Sequence, residues 1–335
     1  MSKDPLVRTE LPQGWMDLSI GEARVVRDIL NKIHPLDSFS FQGDATVWEY
    51  QHPSGYKPLV ELLEKKHGGR KVVMTSGAKQ GLSAVFYALK QAGYSKIGLN
   101  RPYWCQLPPT VSMMGLEFTT NSDYDSFLLV SPNNPDGNYD EEEMKADWEH
   151  HKGLGEPYIH DAAYYDPIYL PEGATLPHIG DMQIFSVSKK YGMSGLRLGY
   201  IVFDDQKYYS DVLHYIETST VGTSAPAQRM FYEIQCRELA VPQLRETFES
   251  LVKAELIEAR RIISQIPENI LDPYHFQTGM FGWFRNVANV NFDELQVKVL
   301  DGKYSGDSGM VRINLAVGNE TLKLFVKKLQ NKYGF

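Results

Sequence analysis

Gln183-Ile184-Phe185-Ser186-Val187-Ser188-Lys189, running on through Lys190 to Gly192, Gly195, Arg197 and Gly199, is the stretch that decides the fold class. Residues 183–187 are apolar enough to predict a strand, and 199–203 (Gly199-Tyr200-Ile201-Val202-Phe203) predict another. Between them the chain breaks into hydroxyls, a lysine and a glycine-rich turn. Open α/β sheets bind ligands at strand ends, so a lysine placed there is a functional candidate. Taken alone, the same residues also describe a surface loop rich in Ser, Lys and Gly.

Outward from this stretch, short runs at 71–75, 96–100, 127–131 and 157–161 also predict strands, with helical patterns between them. Leu82, Val85, Phe86 and Leu89 recur on one helical face behind Gly77. A second helix, 141–150, opens on three glutamates, as the helix dipole favours. Beyond about residue 205 the pattern changes. Long helices are predicted at 228–238 and 246–265, the latter amphipathic through Leu251, Glu255, Glu258 and Arg261. Residues 279–335 mix short strands (280–284, 311–315) with a last helix, 320–333. The alternating segment 15–20 is expected to join that part. The expected fold is α/β: a large domain, 36–245, with a mostly parallel mixed sheet flanked by helices, plus a smaller α+β domain from 1–35 and 246–335.

Bulk properties exclude several function classes. The net charge of −8 and isolated lysine pairs argue against a nucleic-acid partner, which needs clustered Lys and Arg. No run reaches the roughly 18 apolar residues of a membrane span, so no membrane partner is expected. The start, Met1-Ser2-Lys3-Asp4-Pro5, has no apolar signal stretch, and Cys105 and Cys236 form no disulfide framework. A cytoplasmic protein is expected. His150 and His151 are adjacent and so do not share a helix face, and no His-x-x-x-His or Cys-x-x-Cys accompanies them; no metal site is expected.

Chemistry concentrates at the strand ends. A lysine that forms a Schiff base needs a fixed position and little competing solvent, which suits Lys189. Ser186, Ser188 and Arg197 suit a phosphate ester beside it. Asp161, in His160-Asp161-Ala162-Ala163-Tyr164, could keep a pyridine nitrogen protonated, or simply cap a turn. Tyr164, and Asn134 in Ser131-Pro132-Asn133-Asn134-Pro135-Asp136-Gly137, could donate to a ring oxygen, although Asn-Pro and Asp-Gly are also plain turn signals. Thr75-Ser76-Gly77-Ala78-Lys79-Gln80-Gly81 leads a strand into a helix, whose free N–H groups attract anions. Trp104 is either a stacking partner for a ring or a core aromatic.

Together, from about Leu18 to Leu315, these segments resemble the aspartate aminotransferase family, pyridoxal 5'-phosphate (PLP) enzymes of fold type I. The resemblance implies Lys189 as the Schiff-base lysine, with phosphate held by Ser186, Ser188, Arg197 and the N–H groups of Ala78 and Lys79. It implies Asp161 at the pyridine nitrogen, Tyr164 and Asn134 at the 3-oxygen, and Trp104 stacked on the ring. Arg312, in Val311-Arg312-Ile313-Asn314, resembles the arginine that binds the substrate α-carboxylate, with Gly21 and Asn134 beside it. Gly279-Met280-Phe281 resembles a segment flanking the substrate. Tyr50 resembles a tyrosine that reaches the phosphate of a neighbouring subunit, implying a homodimer. The chain departs from the family in looking trimmed between Trp104 and Asn134. It also has Thr218-Ser219-Thr220-Val221-Gly222-Thr223 where dicarboxylate-specific members carry an arginine. Tyr164-Tyr165 and Gly43-Asp44-Ala45-Thr46-Val47-Trp48-Glu49 resemble the tryptophan aminotransferase and alliinase branch.

The activity implied is a ping-pong aminotransferase acting on an L-amino acid, neutral or aromatic, and a 2-oxo acid. Trp15, Trp48, Tyr103, Tyr165, Phe281 and Trp283 are candidates for an aromatic-lined pocket, with at least half of them expected in the core or a dimer interface. The alternatives are a C–S lyase or decarboxylase on the same cofactor and, more remotely, a non-catalytic PLP-binding sensor.

Overall fold

The computed structural model describes residues 11–35 and 45–335; Met1–Pro5 and the Gly43-Asp44 end of the motif above lie outside them. In chain order the elements are β1 (Met16–Asp17), α1 (Arg24–Ile33), α2 (Lys57–Lys66), β2 (Lys71–Thr75), α3 (Ala78–Gln91), β3 (Lys96–Leu99), α4 (Leu107–Met113), β4 (Glu117–Thr119), β5 (Ser126–Val130), α5 (Glu141–Leu154), β6 (Tyr158–Asp161), β7 (Met182–Ser186), α6 (Val187–Lys190), β8 (Gly199–Phe203), α7 (Tyr209–Thr220), α8 (Ala225–Ala240), α9 (Pro242–Ile263), β9 (Leu271–His275), β10 (Phe281–Asn286), β11 (Val297–Lys298), β12 (Leu300–Asp301), β13 (Met310–Asn314) and α10 (Asn319–Tyr333). A seven-stranded sheet has the order β2-β8-β7-β6-β5-β3-β4. Its pairings are parallel except those of β8, antiparallel to both neighbours.

The strands are apolar almost throughout because helices cover both faces. In β2, Val73 faces the core under α3, α4 and α7, and Val72 and Met74 face the core under α1, α2, α8 and α9. Strand β8 alternates in the same way, Ile201 and Phe203 against Tyr200 and Val202. Over β5 and β6, Met144 of α5 covers Phe127 and Tyr158. Helix α5 starts on Asp140, whose carboxylate accepts the N–H groups of Glu142 and Glu143 (both 3.0 Å).

The second unit is an antiparallel sheet, β12-β13-β10-β9, packed on α10 through Leu322, Phe325 and Leu329. Strand β1 pairs with β11 (Met16↔Val297), so the alternating segment does join this part. Helix α1 does not: Val26, Ile29 and Leu30 are buried in the core of the large sheet. Residues 11–35 therefore divide near Gly21, with α1 packed on the large sheet, rather than staying together with the small unit. Helix α9 serves both cores, Phe248 and Val252 in the first and Ala259 and Ile263 in the second. An amphipathic helix 22 residues long spans about 33 Å, enough to cross both units and to hide a boundary inside it. Among the described residues no helix is long and apolar enough to cross a membrane.

Candidate active site

Because β5, β6 and β7 are parallel neighbours, their C-terminal ends bring the turn at Asn134, Asp161 and Ser186 to one edge of the sheet. The turn before α3 and the segment Leu18–Glu22 close the space, with Arg312 of β13 beneath. The result is a cavity of about 260 Å³ lined by Gly21, Ala78, Lys79, Trp104, Asn134, Asp161, Tyr164, Ser186, Ser188, Lys189, Arg197 and Arg312. These come from positions up to 291 residues apart (21 to 312).

At one end, Gly77 has φ +86°, and a Cβ there would lie 2.8 Å from Arg197 Nη2. A Cβ on Gly199 would lie 2.5 Å from the Phe185 carbonyl oxygen and 2.8 Å from Ala78 N. Glycine at both places lets the start of α3, the end of β7 and Arg197 approach closely. Helix α3 has no side-chain cap, and among the described residues the N–H groups of Ala78 and Lys79 meet no acceptor. Ser186 and Ser188 are buried beside them.

Asp161 is buried, and among the described residues its carboxylate accepts one hydrogen bond, from Ala163 N–H (3.1 Å). Burial pushes its pKa up to about 7, against the pull of that bond and of Lys189. Lys189 Nζ donates to the Gly21 carbonyl and lies 5.9 Å from the Tyr164 ring. Its pKa falls to about 8, first through burial and then through the nearby charge of Arg312. Tyr169 OH donates to the Lys189 carbonyl (2.8 Å), anchoring the short turn that carries it.

At the other end, Arg312 is 1% exposed and makes no ion pair among the described residues. Its Nη1 donates to Asn134 Oδ1 (2.6 Å), and Asn134 Nδ2 donates to Tyr164 OH (3.1 Å). Nη2 donates to the Ser19 carbonyl, Phe281 stacks 4.0 Å from the guanidinium, and Nε is buried without a partner. Burial lowers its pKa, and burial raises that of the Tyr164 hydroxyl. Asn314 Nδ2 holds the carbonyls of Ile20 and Glu22 (2.7 and 2.8 Å), which keeps Gly21 against Lys189.

Tyr50 is 90% exposed and does not line its own chain's cavity; its expected place is at a neighbouring subunit's phosphate. One expectation is corrected: none of the six aromatics proposed for a pocket lines this cavity. Trp48 is exposed, Trp283 is wholly buried in the second sheet, Tyr165 lines a different cavity, and Phe281 stands behind Arg312. Trp104 and Tyr164 are the aromatic lining. Gly77, Glu22 and Ser194 line the cavity without having been singled out; Gly77 was signalled by its place between strand and helix. Among the described residues no cluster of three His, Cys, Asp or Glu side chains is arranged to hold a metal.

The profile of the allinase family (Alliinase_C) matches residues 64–236, more than half of the chain. The chain belongs to the allinase family. Tryptophan aminotransferase-related protein 2 of Arabidopsis thaliana is 30% identical over 171 residues, covering 48% of this chain and 37% of that protein. Alliin lyase of Allium cepa var. aggregatum is 34% identical over 101 residues, 30% of this chain and 20% of the lyase. The chain thus spans well under half the length of these allinase-family relatives. Its fold is that of a Thermus thermophilus aspartate aminotransferase double mutant: TM-score 0.75, 95% of this chain and 91% of the other, at 17% identity. That is fold type I, whose members hold pyridoxal phosphate. The cavity fits this cofactor. The glycine-lined cradle and free helix N–H groups suit a phosphate, and the buried, underbonded Asp161 suits a protonated ring nitrogen.

Proposed function

We propose that this member of the allinase family is an aminotransferase, moving an amino group between a neutral or aromatic L-amino acid and a 2-oxo acid by a ping-pong route. The observation that carries the reading is Arg312, a buried guanidinium with no counter-ion among the described residues, facing the same cavity as Lys189. A buried cation without a counter-ion is costly, and a substrate carboxylate would complete it with charge-assisted hydrogen bonds. Bound in this cavity, pyridoxal phosphate supplies an electron sink for charge left on the substrate Cα. Lys189 is the residue that would hold it covalently. Ser186, Ser188, Arg197 and the α3 N–H groups would hold its phosphate. Asp161 would keep a proton on its ring nitrogen, and Asn134 and Tyr164 would face its 3-oxygen. With its pKa lowered to about 8, the Lys189 amine would be neutral for a useful fraction of the time near that pH, and would be the group to take the Cα proton and return it. Trp104, in the cavity lining, would stack on the cofactor ring.

The same residues would also serve an elimination, and the likeness to alliin lyase favours that second reading. The proposal includes a homodimer in which the exposed Tyr50 reaches the partner's cavity. It also includes a cytoplasmic setting, supported by a cysteine content of two, Cys105 and Cys236, with no disulfide between them. The test is a panel of L-amino acids, each with and without a 2-oxo acid, scored by cofactor absorbance and product. Conversion that requires the 2-oxo acid supports transamination. Ammonia and pyruvate released from a cysteine conjugate without an acceptor would replace it with the lyase. A purified protein with no cofactor absorbance would overturn both.

A further inference from the structure

Asp161 is the last residue of β6, and Val130 of β5 pairs with it. One step further along β5, Ser131 N–H donates to the Asp161 carbonyl (3.3 Å). In a regular parallel ladder the next bond would run from Ala163 N–H back to the Ser131 carbonyl. Here Ala163 N–H donates instead to Asp161 Oδ1 (3.1 Å). The ladder gives up one bond, and the Asp161 carboxylate receives it. Ser131 is buried, so its carbonyl needs another donor, because an unmet buried acceptor is costly.

That donor is His160. Its ring is wholly buried, edge-on to Tyr165 (centroids 4.9 Å apart, planes 74° apart). Nε2 lies 3.1 Å from the Ser131 carbonyl oxygen, and Nδ1 lies 2.9 Å from Gln183 Nε2 on β7. A carbonyl only accepts, so Nε2 carries the proton. Burial keeps the ring neutral, with its pKa lowered to about 3, so Nδ1 accepts from the Gln183 amide. Both ring nitrogens are thus committed. Gln183 also lines a second cavity, about 520 Å³, which Lys190 enters and which shares Ala163 and Ser186 with the first.

We infer that His160 is a positioning residue for the cofactor. By supplying the Ser131 carbonyl, it leaves Ala163 N–H to Asp161 and so fixes the carboxylate that faces the ring nitrogen. Without it, the Ser131 carbonyl and the Asp161 carboxylate compete for a single N–H. The inference rests on the proposed place of Asp161 at that nitrogen.

The experiment is a titration of the cofactor-free full chain with pyridoxal phosphate, read by quenching of intrinsic fluorescence. It compares wild type, His160→Asn, His160→Gln, Asp161→Asn and the double variant His160→Asn/Asp161→Asn. The Asn amide takes the place of Nδ1 and stops short of Ser131, whereas the longer Gln side chain carries an N–H to the place of Nε2. Neither is bulkier than the imidazole, and near-ultraviolet circular dichroism checks the fold. Kd is expected to rise about tenfold in His160→Asn and to stay within about twofold of wild type in His160→Gln. On the Asp161→Asn background, His160→Asn should add less than about twofold, because its effect passes through that carboxylate. An equal loss in both His160 variants, or a loss undiminished without the carboxylate, overturns the inference and leaves His160 a core residue. Nitrogen-15 NMR of the wild-type histidines is a second test that needs no variant to fold. It should find His160 protonated on Nε2 and not titrating between about pH 5 and 8, and the opposite tautomer overturns the inference. No uptake of pyridoxal phosphate by wild type overturns the reading of the first cavity, and the inference with it. Uptake by wild type that the His160 variants leave unchanged overturns the inference alone.

Discussion

Lys189 and Lys190 are consecutive on one short turn, yet they enter opposite cavities. Lys190 meets Asp166, whose buried carboxylate also holds Arg245, and this network ties the turn to α9. Lys189 meets a carbonyl oxygen and the distant charges of Arg312, Arg197, Glu22 and Asp161, and its proton is loosened. The difference shows how one side of a turn supplies stability and the other reactivity. A neutralised lysine anchors a fold, whereas a desolvated one without a close carboxylate is available for chemistry.

The sharpest way to break this comparison is to exchange the two lysines' fates. Lys189→Ala is expected to abolish covalent attachment of the cofactor and lower turnover by at least about 10³-fold. Lys190→Ala should keep the visible absorbance of the attached cofactor. The reverse pattern, read by spectrophotometry, would reassign the lysine. Next in size is Asp166→Asn. It leaves Lys190 and Arg245 without their shared counter-ion and should cost about 3–5 kcal/mol in urea unfolding while Lys189 still takes up cofactor. A stability loss below about 1 kcal/mol would mean that the network does not anchor the turn.

Arg312→Gln should raise KM for the amino donor by the equivalent of roughly 1.5–3 kcal/mol, with cofactor binding retained. Steady-state kinetics on the best donor of the panel would show this, and an unchanged KM would remove Arg312 from substrate binding. The smallest expected effect is a pH slope in the cofactor-free protein. Asp161 has a folded pKa raised to about 7, above its unfolded value. Its contribution is therefore complete below about pH 4 and is lost as pH rises toward 7, at no more than about 1.4 kcal/mol per pH unit. Asp161→Asn should flatten that slope relative to wild type in urea unfolding. Equal slopes would show that the carboxylate ionises freely in the folded chain.

The residues legible in the sequence share one property: their chemistry follows directly on an apolar run. Asp161 ends 158–161, Ser186 ends 182–186 and Ala78 follows 71–75, so reading strand ends leads to them. The aromatic set was not legible in this way. An aromatic side chain serves equally in a core, an interface or a pocket, and its neighbours in sequence do not distinguish these. Strands β4 and β9 also escaped, because Glu117-Phe118-Thr119 is short and Leu271-Asp272-Pro273-Tyr274-His275 carries a proline. Residues 24–33 were placed with the small unit only by extension from the alternating segment 15–20, and a strand's pairing does not say against which core the next segment packs.

The sequence by itself determined the alternation of strand and helix, the lysine and its phosphate-side companions, because these rest on local pattern and residue type. Only the tertiary structure decided that Arg312, hydrogen-bonded to Asn134, has no carboxylate partner among the described residues, that Lys190 turns away to Asp166, and that a larger cavity lies behind the Ser186 wall. Those facts depend on which distant segments share a space and on how much water they exclude, and no local pattern encodes either.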